Sequence, residues 1–146
     1  MREIYVTEQK YTCPIATKKS YMAFVPAVLV AAGIAVLSLW ENPVLAPQLT
    51  MSDKVLHGLM YSLLSAATMG GCVLIRRTQI RTYVHVILAA TLYGILMELL
   101  QHFCTVSRTG ELADVYADCL GAIIGVLLIA FLYYSWRQLR SKPKKS

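Results

Sequence analysis

Side chains that could bind ions or transfer protons are concentrated in three short stretches of an otherwise apolar chain, at residues 53–61, 98–102 and 108–118. Together they offer carboxylate, ammonium, guanidinium, imidazole, amide and phenol groups. The expected ligand-binding residues are Asp53, Lys54, His57, Tyr61, Glu98, Gln101, Arg108, Asp114 and Asp118. Such a set could hold a phosphate or carboxylate through its cations, or move protons between imidazole and carboxylate.

Two kinds of chemistry can be assigned to specific residues in this set. His57 and Glu98 are the candidates for acid and base in an enzyme. Glu98, Asp114 and Asp118 could instead hold a divalent cation, since oxygen-rich sites suit Mg²⁺ or Ca²⁺. However, the sequence has no nucleophile elbow, no glycine-rich phosphate loop and no metal motif of recognised spacing. We therefore expect a non-catalytic protein with no metal and no cofactor, and the enzyme remains the alternative.

The composition excludes an ordinary soluble domain. Of the 146 residues, 57% are hydrophobic and 15% are charged, and the mean hydropathy is +0.55. Soluble domains are about 45–50% apolar and about 25% charged. Four cysteines are too few for a disulfide scaffold. The sequence therefore predicts a single-domain integral membrane protein.

Four segments are long and apolar enough to cross a bilayer, which takes about 20 residues of helix. The predicted spans are about 21–40, 55–75, 83–103 and 115–136. Each must be helical, because lipid offers no hydrogen-bond partner to the backbone. The fold class is therefore an all-α bundle of four transmembrane helices in residues 21–136. Residues 1–20 form an N-terminal segment, and residues 137–146 form a basic tail.

The positive charges predict the orientation of the bundle. Twelve of the 14 basic residues precede the first span, lie between the second and third, or follow the fourth, which leaves only Lys54 and Arg108 on the other side. Basic residues in short loops stay in the cytoplasm, so both termini are predicted to be cytoplasmic. The net charge of +6 is thus a topology signal, and we expect no nucleic-acid partner.

Helical spacing places the polar residues on shared faces near the outer surface. Asp114, Asp118, Gly121 and Gly125 fall within about 60° of one another around the helix axis. Glu98 lies about 7–8 Å below the end of its span, where a charge is costly unless it is paired. Arg108 is its natural partner. A purely structural alternative stays open, because polar contacts also lock membrane helices together.

At these residues the sequence resembles the VanZ-like family of small bacterial membrane proteins. The shared pattern is Asp53-Lys54-x-x-His57-x-x-x-Tyr61, then Glu98-x-x-Gln101, then Arg108 followed by Asp114, Asp118, Gly121 and Gly125. Two positions depart from it. Thr105-Val106-Ser107 precedes Arg108 where the family often has a proline, and Asp118 stands where asparagine is frequent. The resemblance implies a multi-pass protein of the bacterial cytoplasmic membrane, in a family whose founding member is linked to teicoplanin resistance.

These observations predict a cell-envelope protein with a polar site at the outer face. Its expected partners are membrane lipids and, at the site, a lipid head group, a lipid-linked cell-wall intermediate or a glycopeptide. Lys54, His57 and Arg108 would contact phosphate or carboxylate, while the acidic residues hold these cations in place. The alternative is an enzyme acting on a lipid-linked substrate. A disulfide between Cys104 and Cys119 and the oligomeric state remain open.

Overall fold

The computed structural model describes residues 18–39, 53–105 and 111–141, and every regular element within these ranges is an α-helix. The helices are α1 (Lys18–Met22), α2 (Val25–Leu39), α3 (Asp53–Leu74), α4 (Ile80–Cys104) and α5 (Leu112–Ser141). The predicted all-helical fold is confirmed for these parts of the chain.

The first apolar segment is interrupted near its start, where we predicted one helix over 21–40. The Phe24 N–H donates to the Tyr21 carbonyl at 3.0 Å, and α2 begins at the next residue. Pro26 explains the break: it has no N–H to donate to the preceding turn, and its ring disfavours a continuous helix through that turn. At the first positions of a new helix the same proline is well tolerated.

Two helices, α4 with 25 residues and α5 with 30, are long and apolar enough to cross a membrane by length and composition. Helix α2 is apolar but shorter, with 15 residues. The four-span count and the cytoplasmic placement of both termini stay predictions.

Helices α3 and α5 approach each other closely because glycines line their contact. A Cβ atom built on Gly121 would meet the Gly58 backbone of α3, with the Gly58 carbonyl carbon at 2.9 Å. A Cβ on Gly125 would meet the Ser62 carbonyl and the Ser65 hydroxyl. No larger side chain fits at either position without moving a helix backbone, so these glycines set the distance between the two helices.

Two side chains of α4 attach α2 to the bundle. The Tyr93 hydroxyl donates to the Ala31 carbonyl at 2.7 Å. Two turns further along α4, the Gln101 Nε2 amide donates to the Ser38 carbonyl at 3.1 Å. Both acceptors are backbone atoms, so α2 is held at a defined rotation and height against α4.

The bundle exposes many large apolar side chains and buries several polar ones beside its apolar core. Large apolar side chains lie on its exposed surface, among them Leu59, Leu63, Leu88, Leu92, Leu120, Ile124, Leu127 and Phe131. The buried polar residues are Ser38, His57, Ser65, Glu98, Gln101, Asp114 and Asp118. Such a distribution suits a lipid environment, in which ionisable residues face the bundle interior.

Candidate functional site

Three helices bring one imidazole and two carboxylates together inside the bundle. His57 Nδ1 lies 3.0 Å from Asp118 Oδ1, a hydrogen-bonding distance. The same nitrogen lies 3.7 Å from Glu98 Oε1. The three residues are 3%, 0% and 6% exposed respectively. We call His57, Glu98 and Asp118 the central group.

The three members of the central group lie on three different helices but at the same end of the bundle. His57 is four residues into α3, Asp118 six residues into α5, and Glu98 six residues before the end of α4. These offsets correspond to about 6–9 Å along the helix axes. Because α4 runs antiparallel to its neighbours, the three side chains meet at one level. The site is therefore one to two turns below a single end of the bundle.

Tyr61 forms the buried lower boundary of the site. It follows His57 by one helical turn, and the two rings are nearly parallel, with centroids 6.4 Å apart and planes 9° apart. Tyr61 is 1% exposed, and its ring also contacts Tyr93, the side chain that anchors α2. These contacts connect His57 through Tyr61 and Tyr93 to α2.

Gly94 makes room for Asp118. A Cβ atom built on Gly94 would fall against Asp118 Oδ2 and would lie 3.1 Å from Asp118 Cγ. Any larger residue at position 94 would push the carboxylate away from its present place. Gly94 precedes Glu98 by about one turn of α4, and nothing in the sequence indicated that it makes room for Asp118.

Lys54 forms the exposed rim of the site together with Glu111. Its ammonium nitrogen lies 3.2 Å from Glu111 Oε2 and 3.8 Å from Asp114 Oδ1, and its side chain is 50% exposed. The hydrogen bond to Glu111, followed by the charge of Asp114, raises the pKa of Lys54 above its ordinary value of 10.5. The rim therefore carries a positive charge held by two carboxylates.

Glu111 links the rim to the central group and was missing from the predicted site. Its backbone N–H, just before α5 begins, donates to Glu98 Oε2 at 3.1 Å. The Glu98 carboxylate, at the N-terminus of α5, is also stabilised by the positive end of that helix dipole. The one available signal was the position of Glu111, three residues before Asp114 at the start of a span. We call the central group together with Lys54, Glu111 and Asp114 the polar cluster: Lys54, His57, Glu98, Glu111, Asp114 and Asp118.

Several buried polar atoms of the site have no hydrogen-bond partner within the described ranges. They are Tyr61 Oη, Glu98 Oε1, Asp114 Oδ1 and Asp118 Oδ2. A buried polar atom that makes no hydrogen bond costs about 1–3 kcal/mol, and more if it is charged. Four such atoms around one site indicate unused capacity to bind a further group.

Most predicted site residues lie together, but three need separate mention. Asp53 is exposed at the edge, with a carboxylate oxygen within 4.8 Å of ligand atoms of His57 and Asp114. Gln101 is buried but bonds to α2. Arg108, the predicted partner of Glu98, lies outside the described residues.

The two cysteines for which we left a disulfide open both carry free thiols. Cys104 is exposed at the end of α4, and Cys119 is partly buried in α5.

The arrangement could hold a metal ion as well as an organic ligand. In two overlapping sets, one ligand atom from each residue lies within 4.8 Å of the others: His57 with Glu98 and Asp118, and His57 with Asp53 and Asp114. A hydrogen-bonded pair of histidine and buried aspartate is also a common base and orienting group in enzymes.

Comparison with known proteins provides the family. The profile described as VanZ/LLP1 matches residues 8–133, most of the chain and all of the polar cluster. Comparisons with curated proteins and with solved structures returned no significant match. Together with its two long apolar helices, this match indicates a membrane protein. The chain belongs to the VanZ/LLP1 family.

Proposed function

We propose that this protein crosses the bacterial cytoplasmic membrane four times and binds the polar group of an envelope amphiphile at its outer face. The ligand is a lipid head group, a lipid-linked cell-wall intermediate or a glycopeptide, and the last of these would link the protein to teicoplanin-type resistance. Family membership is consistent with an envelope protein. The residues assigned to the ligand are those of the polar cluster, with Asp53, Tyr61 and Arg108.

The helix dimensions support four spans. Helix α3 has 22 residues, about 33 Å of helix, which matches a hydrocarbon core of about 30 Å. Helix α2 follows α1 after a two-residue turn. Lipid-facing apolar side chains occur on α2 as well, such as Val28 and Leu29, which are 65% and 67% exposed.

The charge distribution supports an outward-facing site. The loop of Arg76 and Arg77 joins α3 to α4 at the end of the bundle opposite the central group. Arg137 and Arg140 lie at that same end, on the last turns of α5. If positive loops face the cytoplasm, the polar cluster faces outward.

The observation that carries the proposal is a set of buried carboxylate and phenol oxygens that make no hydrogen bond within the described ranges, in a site whose rim holds the half-exposed Lys54. A network whose only role is to join helices would satisfy its own atoms, because an unsatisfied buried group destabilises the fold. A ligand that carries both hydrogen-bond donors and an anionic group would satisfy the buried oxygens and Lys54 together. Its anionic group would contact Lys54, and its donors would reach Glu98 and Asp118.

Native mass spectrometry of the purified protein in lipid nanodiscs tests the proposal. We expect the wild-type protein to retain an envelope amphiphile, and Glu98→Gln and Lys54→Gln to retain much less of it. His85→Gln is the matched control, since His85 is exposed on α4 far from the cluster. Equal retention by all four folded proteins would refute a binding site at the cluster. Adding teicoplanin to the same samples shows whether a glycopeptide occupies it.

A second candidate is an enzyme in which His57 and Glu98 act as base and acid. The hydrogen bond between His57 and the fully buried Asp118 favours it, because a catalytic imidazole is usually oriented by such a partner. In this case Glu98→Gln should keep binding of the lipid-linked substrate but abolish its turnover. Retained turnover in Glu98→Gln and His57→Ala would exclude this reading.

A further inference from the structure

We propose that His57, Glu98 and Asp118 bind a divalent transition-metal ion of the Zn²⁺ class. The metal then accepts the anionic group of the ligand, a part of the inference that rests on the function proposed above. The metal site itself does not, because it is argued from distances, charge and unpartnered atoms among the described residues.

The spacing of the ligand atoms fits a metal ion. At metal–ligand distances of about 2.0–2.1 Å, two ligands of a tetrahedral Zn²⁺ lie about 3.3–3.4 Å apart. His57 Nδ1 lies 3.0 Å from Asp118 Oδ1 and 3.7 Å from Glu98 Oε1. Shifts of a few tenths of an ångström would bring both pairs to the metal-bound value. The three atoms come from three helices, so the bundle fixes them in place.

The donor set selects the class of metal. Imidazole nitrogen suits Zn²⁺, Fe²⁺ and related ions, whereas Mg²⁺ and Ca²⁺ prefer oxygen ligands alone. Imidazole and carboxylate are both zinc ligands, and catalytic zinc sites use three protein ligands and keep a fourth position open. An open position here is where a phosphate or carboxylate group would bind.

The local charge favours a dication. Three buried carboxylates, on Glu98, Asp114 and Asp118, surround a single imidazole. The nearest lysine within the described ranges, Lys54, is half exposed and also shares its charge with Glu111. Buried carboxylates require compensation from a paired cation or a metal. A dication between Glu98 and Asp118 supplies it, and it also removes the repulsion between these carboxylates and an anionic ligand.

Unpartnered atoms beyond the three ligands point to the same place. Asp114 Oδ1 is buried and makes no hydrogen bond within the described ranges, with the Lys54 ammonium nitrogen 3.8 Å away, and Asp114 belongs to the second set of potential ligand residues around His57. The Tyr61 hydroxyl is also buried without such a partner, on the ring stacked beside His57. An ion pair between His57 and Asp118 alone supplies no hydrogen bond to either atom.

Metal analysis of the purified protein tests the site directly. The chain is produced with an affinity tag that lacks histidine, and its metal content is measured by mass spectrometry. After chelation, the protein in detergent is titrated with Zn²⁺, and Co²⁺ replaces it for visible spectroscopy. We expect about one Zn²⁺ per chain, a tetrahedral Co²⁺ spectrum, and at least about 100-fold weaker binding in His57→Ala and Asp118→Asn.

Two further variants separate a metal site from an ion pair. Glu98→His removes the carboxylate but keeps a metal ligand, so it should retain Zn²⁺ while Glu98→Gln loses it. Exposed His102→Gln is the control for adventitious binding and should leave Zn²⁺ affinity unchanged. The variants are compared only if circular dichroism shows wild-type helicity. Asp118→Asn has nearly the shape of the original side chain, which keeps the test valid if His57→Ala fails to fold.

Two results would overturn the metal site. One is a wild-type protein that neither contains nor takes up a stoichiometric divalent ion. The other is Zn²⁺ affinity that is equal in the wild type and in Asp118→Asn. If the amphiphile is still retained in either case, the proposed function survives without the metal. If the metal binds and no amphiphile does, the metal site stands and the proposed function fails.

Discussion

Replacing Gly94 by alanine should disturb the central group without removing any of its polar atoms. A Cβ atom at position 94 would collide with Asp118 Oδ2 and would lie 3.1 Å from both Cβ and Cγ of Asp118. Asp118 must therefore move, and its hydrogen bond with His57 must lengthen or break. The substitution tests whether the geometry of the central group contributes to the stability of the bundle.

The size of the effect can be worked out from these distances. Ordinary contacts of a Cβ atom begin at 3.4 Å, so Asp118 Cγ must retreat by about 0.3 Å and its carboxylate oxygen by more. Overpacking of this kind costs about 1–3 kcal/mol. The higher helix propensity of alanine offsets up to about 1 kcal/mol of this. We expect a net loss of about 1–2 kcal/mol in the free energy of unfolding.

Reversible unfolding in mixed micelles, followed by circular dichroism, measures this free energy. Gly70→Ala is the matched control, because a Cβ there meets nothing within 4 Å. A double-mutant cycle with Asp118→Ala isolates the contact, since most of the cost of Gly94→Ala should disappear once the carboxylate is gone. Equal stability of Gly94→Ala and Gly70→Ala would refute the reasoning, as would an unchanged cost in the Asp118→Ala background.

Three further substitutions test other parts of the structure. Gly125→Ala should destabilise the bundle by about 1–3 kcal/mol through overpacking between α3 and α5. Gly33→Ala is the control, because a Cβ atom at position 33 meets nothing within 4 Å. Equal unfolding curves of the two variants would contradict this prediction. Tyr93→Phe removes the hydroxyl that bonds to α2 and should cost about 0.6 kcal/mol, measured in the same assay, where a stabilised variant would count against the bond. Glu111→Gln should lower the pKa of Lys54 toward 10.5, measured by NMR titration, and an unchanged pKa would exclude the ion pair. Because this pKa is raised in the folded protein, the pair stabilises the fold below pH 10.5 and the benefit is lost as the pH rises through the folded value.

Local periodicity was sufficient to predict the helices and the sides on which their polar residues lie. Asp114, Asp118, Gly121 and Gly125 were placed on one face by helical spacing, and all four are buried. This works because the direction of a side chain along a helix depends only on its position in that helix. An exception is the break between α1 and α2, where one helix over 21–40 was predicted and two helices separated at residues 23–24 are observed.

The sequence alone determined that carboxylates and His57 gather at one end of the apolar helices, because composition and spacing are properties of the chain itself. It could not determine which carboxylate meets His57, that Glu111 joins Lys54 to Glu98, or that Gly94 accommodates Asp118. Those pairings depend on the rotation and height of each helix relative to its neighbours. Contacts between residues far apart in the chain, such as Gly121 with Gly58, fix that rotation and height. Tertiary packing therefore decided the site.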